Sequence, residues 1–186
     1  VTNNQRFAGL RGIGLLAITS IPASLVGLLT HVWIQQRLFN PLMVAVALAA
    51  GAVWILAVEY SSSKTTADSV DAITWKQALS VGVFQCFSLW PGMSRSASTI
   101  LGGMMSGLDR KTATQYSFFA AVPIMLAATS YELYKTPSLL SSMNIAVLAV
   151  GFGVSFLSAW AAVKVFVHFV AHHTLIPFGW YRLVIA

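Results

Sequence analysis

A chain of 186 residues that is 57% hydrophobic, only 9% charged and has a mean hydropathy of +0.76 lacks the polar surface of a water-soluble monomer. Its 11 Lys and Arg outnumber 5 Asp and Glu, a net charge of +6, but they stand singly between apolar runs and form no stripe that would engage nucleic acid. Lipid headgroups or an anionic substrate account for them better; the single cysteine, Cys86, has no partner for a disulfide or metal cluster and reads as a small buried hydrophobe.

The first uncharged run, Gly12 to Trp33, is long enough to cross a ~30 Å hydrocarbon layer. Pro22 at its middle predicts a kink, with the hydroxyls of Thr19 and Ser20 taking up the freed carbonyls. Asn40-Pro41 opens a second span over residues 41–60, where a proline at the helix start loses nothing, and Glu59 and Tyr60 mark the interface. Ser61 to Thr74 is the one sustained polar run and reads as the longest extramembrane loop.

Residues 77–107 then read apolar, turn, apolar. At helical rise the arms Gln77 to Trp90 and Ser96 to Gly107 reach ~21 and ~18 Å, both short of a crossing, which predicts a re-entrant hairpin. Its tip, Pro91-Gly92-Met93-Ser94-Arg95, would be irregular backbone at membrane depth, tolerated where it is buried in protein or lines a wet cavity. Asp109 can cap a third span over residues 112–134, with Pro123 inside it.

A fourth span covers residues 143–169, where Gly151, Gly153, Ser155, Ser158 and Ala162 suit close helix packing. A fifth, residues 175–186, supplies about half of the ~20 apolar residues that a crossing needs. With Val1 in place of an initiator Met, both ends of the chain read as cut. The expected fold is an all-α integral membrane protein, one polytopic helical bundle over residues 1–186 that contains the re-entrant hairpin.

Alternating the spans places Arg6, Arg11, Lys64, Lys76, Arg110, Lys111 and Lys164 on one side and Arg37 and Lys135 on the other. The side rich in basic residues is cytoplasmic by the positive-inside rule, so the hairpin enters from the cytoplasm and points Arg95 outward. Trp33, Tyr60, Trp75 and Tyr134 fall at the span ends, as an aromatic belt requires.

Arg95 most needs a reason. An arginine at bilayer depth costs at least ~2.5–3.5 kcal/mol unless it is paired, and such residues are functional by default. Ser94, Ser96, Ser98 and Thr99 surround it, and the second arm begins just past it, aiming free backbone N–H groups at the same spot. Guanidinium, hydroxyls and a helix N-terminus together describe an oxyanion site with phosphate as the natural occupant. A second reading makes Ser94 an N-cap, lets Arg95 snorkel to water and has the serines satisfy their own helix. Pro91-Gly92 serves the reversal under either reading.

The run Phe84 to Ser96, FQCFSLWPGMSRS, resembles the PGxSRS motif of the bacitracin-resistance type of undecaprenyl-diphosphate phosphatase. Thr99 to Gly103, Ser117-Phe118 with Ala121 to Pro123, Glu132 to Lys135, Ile176 to Phe178 and Tyr181-Arg182 also match that family's pattern, so the resemblance covers nearly the whole chain. It implies a multi-pass enzyme of the bacterial plasma membrane that hydrolyses undecaprenyl diphosphate to the monophosphate and inorganic phosphate. This recycles the lipid carrier for peptidoglycan synthesis and confers bacitracin resistance. It further implies an inverted-topology repeat with two re-entrant hairpins meeting near the midplane, and an active site open to the outer side.

By that motif Arg95 is the catalytic cation that binds and neutralises the diphosphate, and Ser94, Arg95, Ser96, Thr99 and Gly92 form the phosphate-binding set. The family's first hairpin, with glutamates four apart and a Ser-Ser-Thr-Gly-His stretch, is absent from these residues and is expected upstream of Val1. The Mg²⁺ or Ca²⁺ that the resemblance implies therefore has no ligands here, nor does the nucleophile, and the chain reads as roughly the last two-thirds of an enzyme with half of its site. The expected partners are the polyprenyl diphosphate and membrane lipid, not nucleic acid; a homodimer stays open.

His31, His168, His172 and His173 fall near span ends and read as interfacial; only His168 and His172 are spaced i,i+4. Asp68, Asp71, Asp109, Glu59 and Glu132 make no catalytic carboxylate pair. The alternative functional class is a transporter or flippase of an anionic polyprenyl lipid, since broken helices and midplane charge serve transporters too. A non-catalytic scaffold ranks last, because it leaves Arg95 without a purpose.

Overall fold

The structure, a computed structural model, describes residues 7, 9–61, 65–136 and 145–186, which are helical throughout apart from short connections. Among the described residues seven α-helices follow in order: α1 Leu10–Arg37, α2 Pro41–Tyr60, α3 Trp75–Gln85, α4 Arg95–Met105, α5 Arg110–Lys135, α6 Ile145–His172 and α7 Ile176–Ile185. Single 3-10 turns cover Val70–Ala72 and Cys86–Leu89. Arg6 and Lys64, two of the basic residues used for topology, and residues 143–144 of the fourth expected span lie outside the described residues.

Helices α1, α2 and α6 are long and apolar enough to cross a membrane. α5, the third expected span, has 26 residues and ~39 Å of length but is less apolar in composition, and its Thr112, Thr114 and Ser117 are turned inward and buried. Helix starts follow the caps. Asn40 Oδ1 accepts from Met43 N (3.0 Å) ahead of Pro41, Thr74 and Gln77 form a capping box before α3, and Asp109 Oδ1 accepts from Thr112 N (3.0 Å).

Two expectations need correction. α1 runs unbroken through Pro22, but Thr19 and Ser20 donate to the carbonyls of Leu15 and Leu16, not to the Ile18 carbonyl that Pro22 leaves without an N–H. Thr19 is wanted elsewhere: its hydroxyl lies 3.0 Å from the Ala78 carbonyl and 2.6 Å from the Tyr116 hydroxyl, joining α1 to α3 and α5. The small residues of the fourth span do not mediate close packing either. A β-carbon on Gly151 or Gly153 would meet nothing within 4 Å, and Val150, Phe152, Phe156 and Trp160 of α6 are all more than half exposed.

α3 and α4 form an antiparallel hairpin. Ser80 and Ser106 share a hydrogen bond (2.7 Å) and Gln77 Nε2 donates to the Ser106 carbonyl (3.1 Å) at its base, while Phe84 lies over Gly102 nearer the tip. At the tip Met93 N donates to the Trp90 carbonyl (3.0 Å) around Pro91 and Gly92, with Gly92 at φ 96°, the pattern of a type II turn. At the base, α4 ends in a Schellman motif: Leu108 N reaches the Gly103 carbonyl and Gly107 N that of Met104, both at 3.0 Å, with Gly107 at φ 89°. Gly107 O also accepts from Thr66 N and Ala67 N, and Asp109 N donates to Ala67 O, so the polar loop is pinned there.

Around this hairpin pack α1, α2 and α5, burying Val81, Ile100, Leu101 and Tyr116 almost completely. α7 lies along α2, and α6 rests on α5. The sequestered element is thus the hairpin, and the longest apolar surface left outside belongs to α6.

Candidate active site

The residues that begin α4 are held by the tip turn on one side and by α5 on the other. Ser94 is its N-cap: the hydroxyl oxygen accepts from Ala97 N (3.2 Å) and lies 3.5 Å from Ser96 Oγ. Accepting that bond leaves the Ser94 hydroxyl hydrogen free to donate, so capping and anion binding are compatible in one side chain. Gly92 packs against α2, where a β-carbon would stand 2.5 Å from the Val44 carbonyl oxygen.

Ser94 and Ser96 line one cavity of about 290 Å³, whose walls come from α2, α4, α6 and α7. The cation that shares it is Arg182 of α7. Its Nη2 donates to the Gly92 carbonyl (2.7 Å), while Nε is buried with no partner. The guanidinium fits because α2 carries Gly51 there: a β-carbon at that position would lie 2.5 Å from Nη2.

Arg95 itself turns toward α5. It is half-buried, its Nη1 lies 3.5 Å from the Ser117 carbonyl, and no carboxylate pairs with it among the described residues. Thr99 is on the same side, fully buried, with its hydroxyl 2.6 Å from Ser117 Oγ and bonded back to the carbonyls of Arg95 and Ser96. The structure thus brings Ser94 and Ser96 together with Arg182, places Arg95 one face around the same helix end, and commits Thr99 to the joint between α4 and α5.

Sequence reasoning gave Arg182 no role, although its signal was there: it is the lone charge in the run IPFGWYRLVI and faces the same burial cost as Arg95. The buried side-chain atoms without partners among the described residues are the Arg182 Nε, both amide atoms of Gln85 and Trp90 Nε1. All belong to α7 or to the hairpin. The His168 and His172 rings lie at a tilt of 48° with centroids 4.7 Å apart near the end of α6, outside this cavity.

A second apolar space of about 570 Å³ adjoins the first. Ser96, Phe166 and Phe178 line both, and Phe118, Val163 and Phe169 extend it between α5 and α6. A cationic, hydroxyl-lined pocket opening onto a greasy trough suits a molecule with an anionic head and a hydrocarbon tail. The donor set does not suit a divalent cation: no carboxylate or histidine lines the pocket, and no three His, Cys, Asp or Glu side chains gather among the described residues.

Membrane-length apolar helices packed around a short hairpin, and the absence of any strand among the described residues, make this an all-α integral membrane protein. Residues 2–186 match the family described as bacitracin resistance protein BacA, and the chain belongs to it. It is 55% identical over 185 residues to an undecaprenyl-diphosphatase of Oleidesulfovibrio alaskensis, covering 100% of this chain and 70% of that protein. A protein of the same name from Maridesulfovibrio salexigens is 54% identical over 98% of this chain and 69% of its own length. One from Aromatoleum aromaticum is 47% identical, over 95% and 65%.

Proposed function

We propose that this chain is a membrane phosphatase that hydrolyses undecaprenyl diphosphate to undecaprenyl phosphate and inorganic phosphate. The activity recycles the lipid carrier of peptidoglycan synthesis and underlies bacitracin resistance. The observation that carries the assignment of the site is the convergence of the Arg182 guanidinium with the Ser94 and Ser96 hydroxyls on one pocket at the start of α4, beside a tail-sized trough.

In this reading the hairpin is re-entrant, half of an inverted repeat, and its tip lies at membrane depth in the plasma membrane with the pocket open to the outer side. Arg182 and the two serines hold non-bridging oxygens of the diphosphate. Arg95, one helix face away with its Nη1 near the Ser117 carbonyl, closes on the diphosphate and neutralises the charge that builds on the leaving phosphate oxygen as the anhydride P–O bond breaks and the oxygen of water ends on the terminal phosphorus. Thr99 orients Arg95 by fixing α4 on α5, and Gly92 brings the tip turn against α2. The polyprenyl tail lies in the trough lined by Phe118, Phe166 and Phe178. These residues hold and neutralise the phosphates.

The test is inorganic phosphate release from a C55 polyprenyl diphosphate in detergent, with Mg²⁺ or Ca²⁺ and again with EDTA, by the chain alone and joined to the preceding segment of a relative. We expect release in the joined form. Arg95→Ala lowers it about 10²–10³-fold, the usual cost of one lost transition-state donor, and Arg95→Lys restores part because the bidentate geometry is gone. Near-normal turnover in Arg95→Ala sinks the role of Arg95. Transbilayer movement of the lipid without phosphate release supports the transporter instead.

A further inference from the structure

We propose that the groove between α5 and α6, at the end of the molecule where α5 begins and α6 finishes, binds an anionic phospholipid. The groove encloses about 600 Å³. Its lining is mainly apolar, Phe118 from α5 and Val163 from α6 among it, and includes Lys111, Lys164, His168 and His172. No carboxylate lines it, and among the described residues neither lysine has an acidic partner, the ion pair there being Arg110 with Glu59.

The depth of Lys164 singles out a lipid. It stands eight residues, ~12 Å, before the end of α6. Its ammonium lies 5.3 Å from the ring centroid of Trp160, one turn further from that end. An ammonium so far along an apolar span, with no carboxylate near, is costly unless an anion reaches it. Basic pockets between membrane helices collect phosphate headgroups, and the apolar lining offers the acyl chain a place that a free phosphate would leave empty. The groove shares Phe118 and Val163 with the trough that runs to Ser96. The polyprenyl tail, being uncharged, has no use for the lysines, which sets this site apart from the phosphate clamp.

The experiment reconstitutes the chain in dioleoylphosphatidylcholine vesicles and compares the association of spin-labelled phosphatidylglycerol with that of spin-labelled phosphatidylcholine. We expect phosphatidylglycerol to be preferred at least about five-fold, the effect of one lysine near an anionic headgroup. Lys111→Gln with Lys164→Gln brings the two probes to parity, and Lys135→Gln, at the other end of α5, leaves the preference in place. Equal association with the unsubstituted chain, or a preference that survives the double substitution, overturns the proposal. So does loss of the preference on adding millimolar inorganic phosphate at constant ionic strength, which would make the groove a free-phosphate site. Arg95→Ala keeps the preference, so this proposal and the phosphatase reading fail separately.

Discussion

A β-carbon on Gly51 would stand 2.5 Å from Arg182 Nη2 and 3.0 Å from Cζ, so the identity of one α2 residue decides whether the α7 guanidinium can reach the pocket. Gly51→Ala is expected to displace Arg182 and to weaken phosphate release about 5–160-fold, the range that ~1–3 kcal/mol of overpacking allows. The loss should fall mainly on KM, because the clamp binds the ground-state diphosphate as well. A double-mutant cycle checks the route: if Gly51 acts through the guanidinium, Gly51→Ala adds little to Arg182→Ala, whereas full additivity counts against it. Arg95 was legible in the sequence, since a charge between apolar arms demands an explanation. The Gly51–Arg182 match was not, because 131 positions separate the two and nothing local to either names the other.

At the scale of elements, Glu59 joins three helices. Oε1 accepts from Arg110 Nε and from Leu175 N, both at 2.9 Å, and Oε2 from Arg110 Nη2 at 2.5 Å, with the carboxylate side chain fully buried. The end of α2, the start of α5 and the start of α7 thus meet on one carboxylate. Removing it strands a half-buried guanidinium and an N–H, so Glu59→Ala is expected to cost about 3–5 kcal/mol, read as the shift in a chemical unfolding curve in detergent. Glu59→Gln, which keeps an acceptor, should cost less; equal curves for all three chains would show that the pair contributes nothing. Helix starts were readable from Asn40-Pro41, Asp109 and the short hairpin arms, because caps and turns act within four residues. The partners of Thr19 were not readable, since its hydroxyl serves Ala78 and Tyr116 on other helices.

For the whole molecule, the unequal basic residues predict that α5 begins in the cytoplasm and ends outside. In a Cys86→Ala background, Lys135→Cys should react with an impermeant maleimide added to intact cells, and Lys111→Cys only after the membrane is opened. The reverse pattern would make the hairpin enter from outside. Composition and local motifs alone determined that the chain lives in a membrane, that Asn40-Pro41 and Asp109 open helices, and that a short hairpin carries an arginine and serines. These are properties of transfer free energy and local backbone chemistry, which depend on residue type and near neighbours. Only the tertiary structure decided that Ser94 and Ser96 share a pocket with Arg182 while Arg95 and Thr99 face α5, and that α6 leaves its small residues unpacked. Those outcomes depend on which helices touch, and contact between distant segments is set by the packing of the whole bundle.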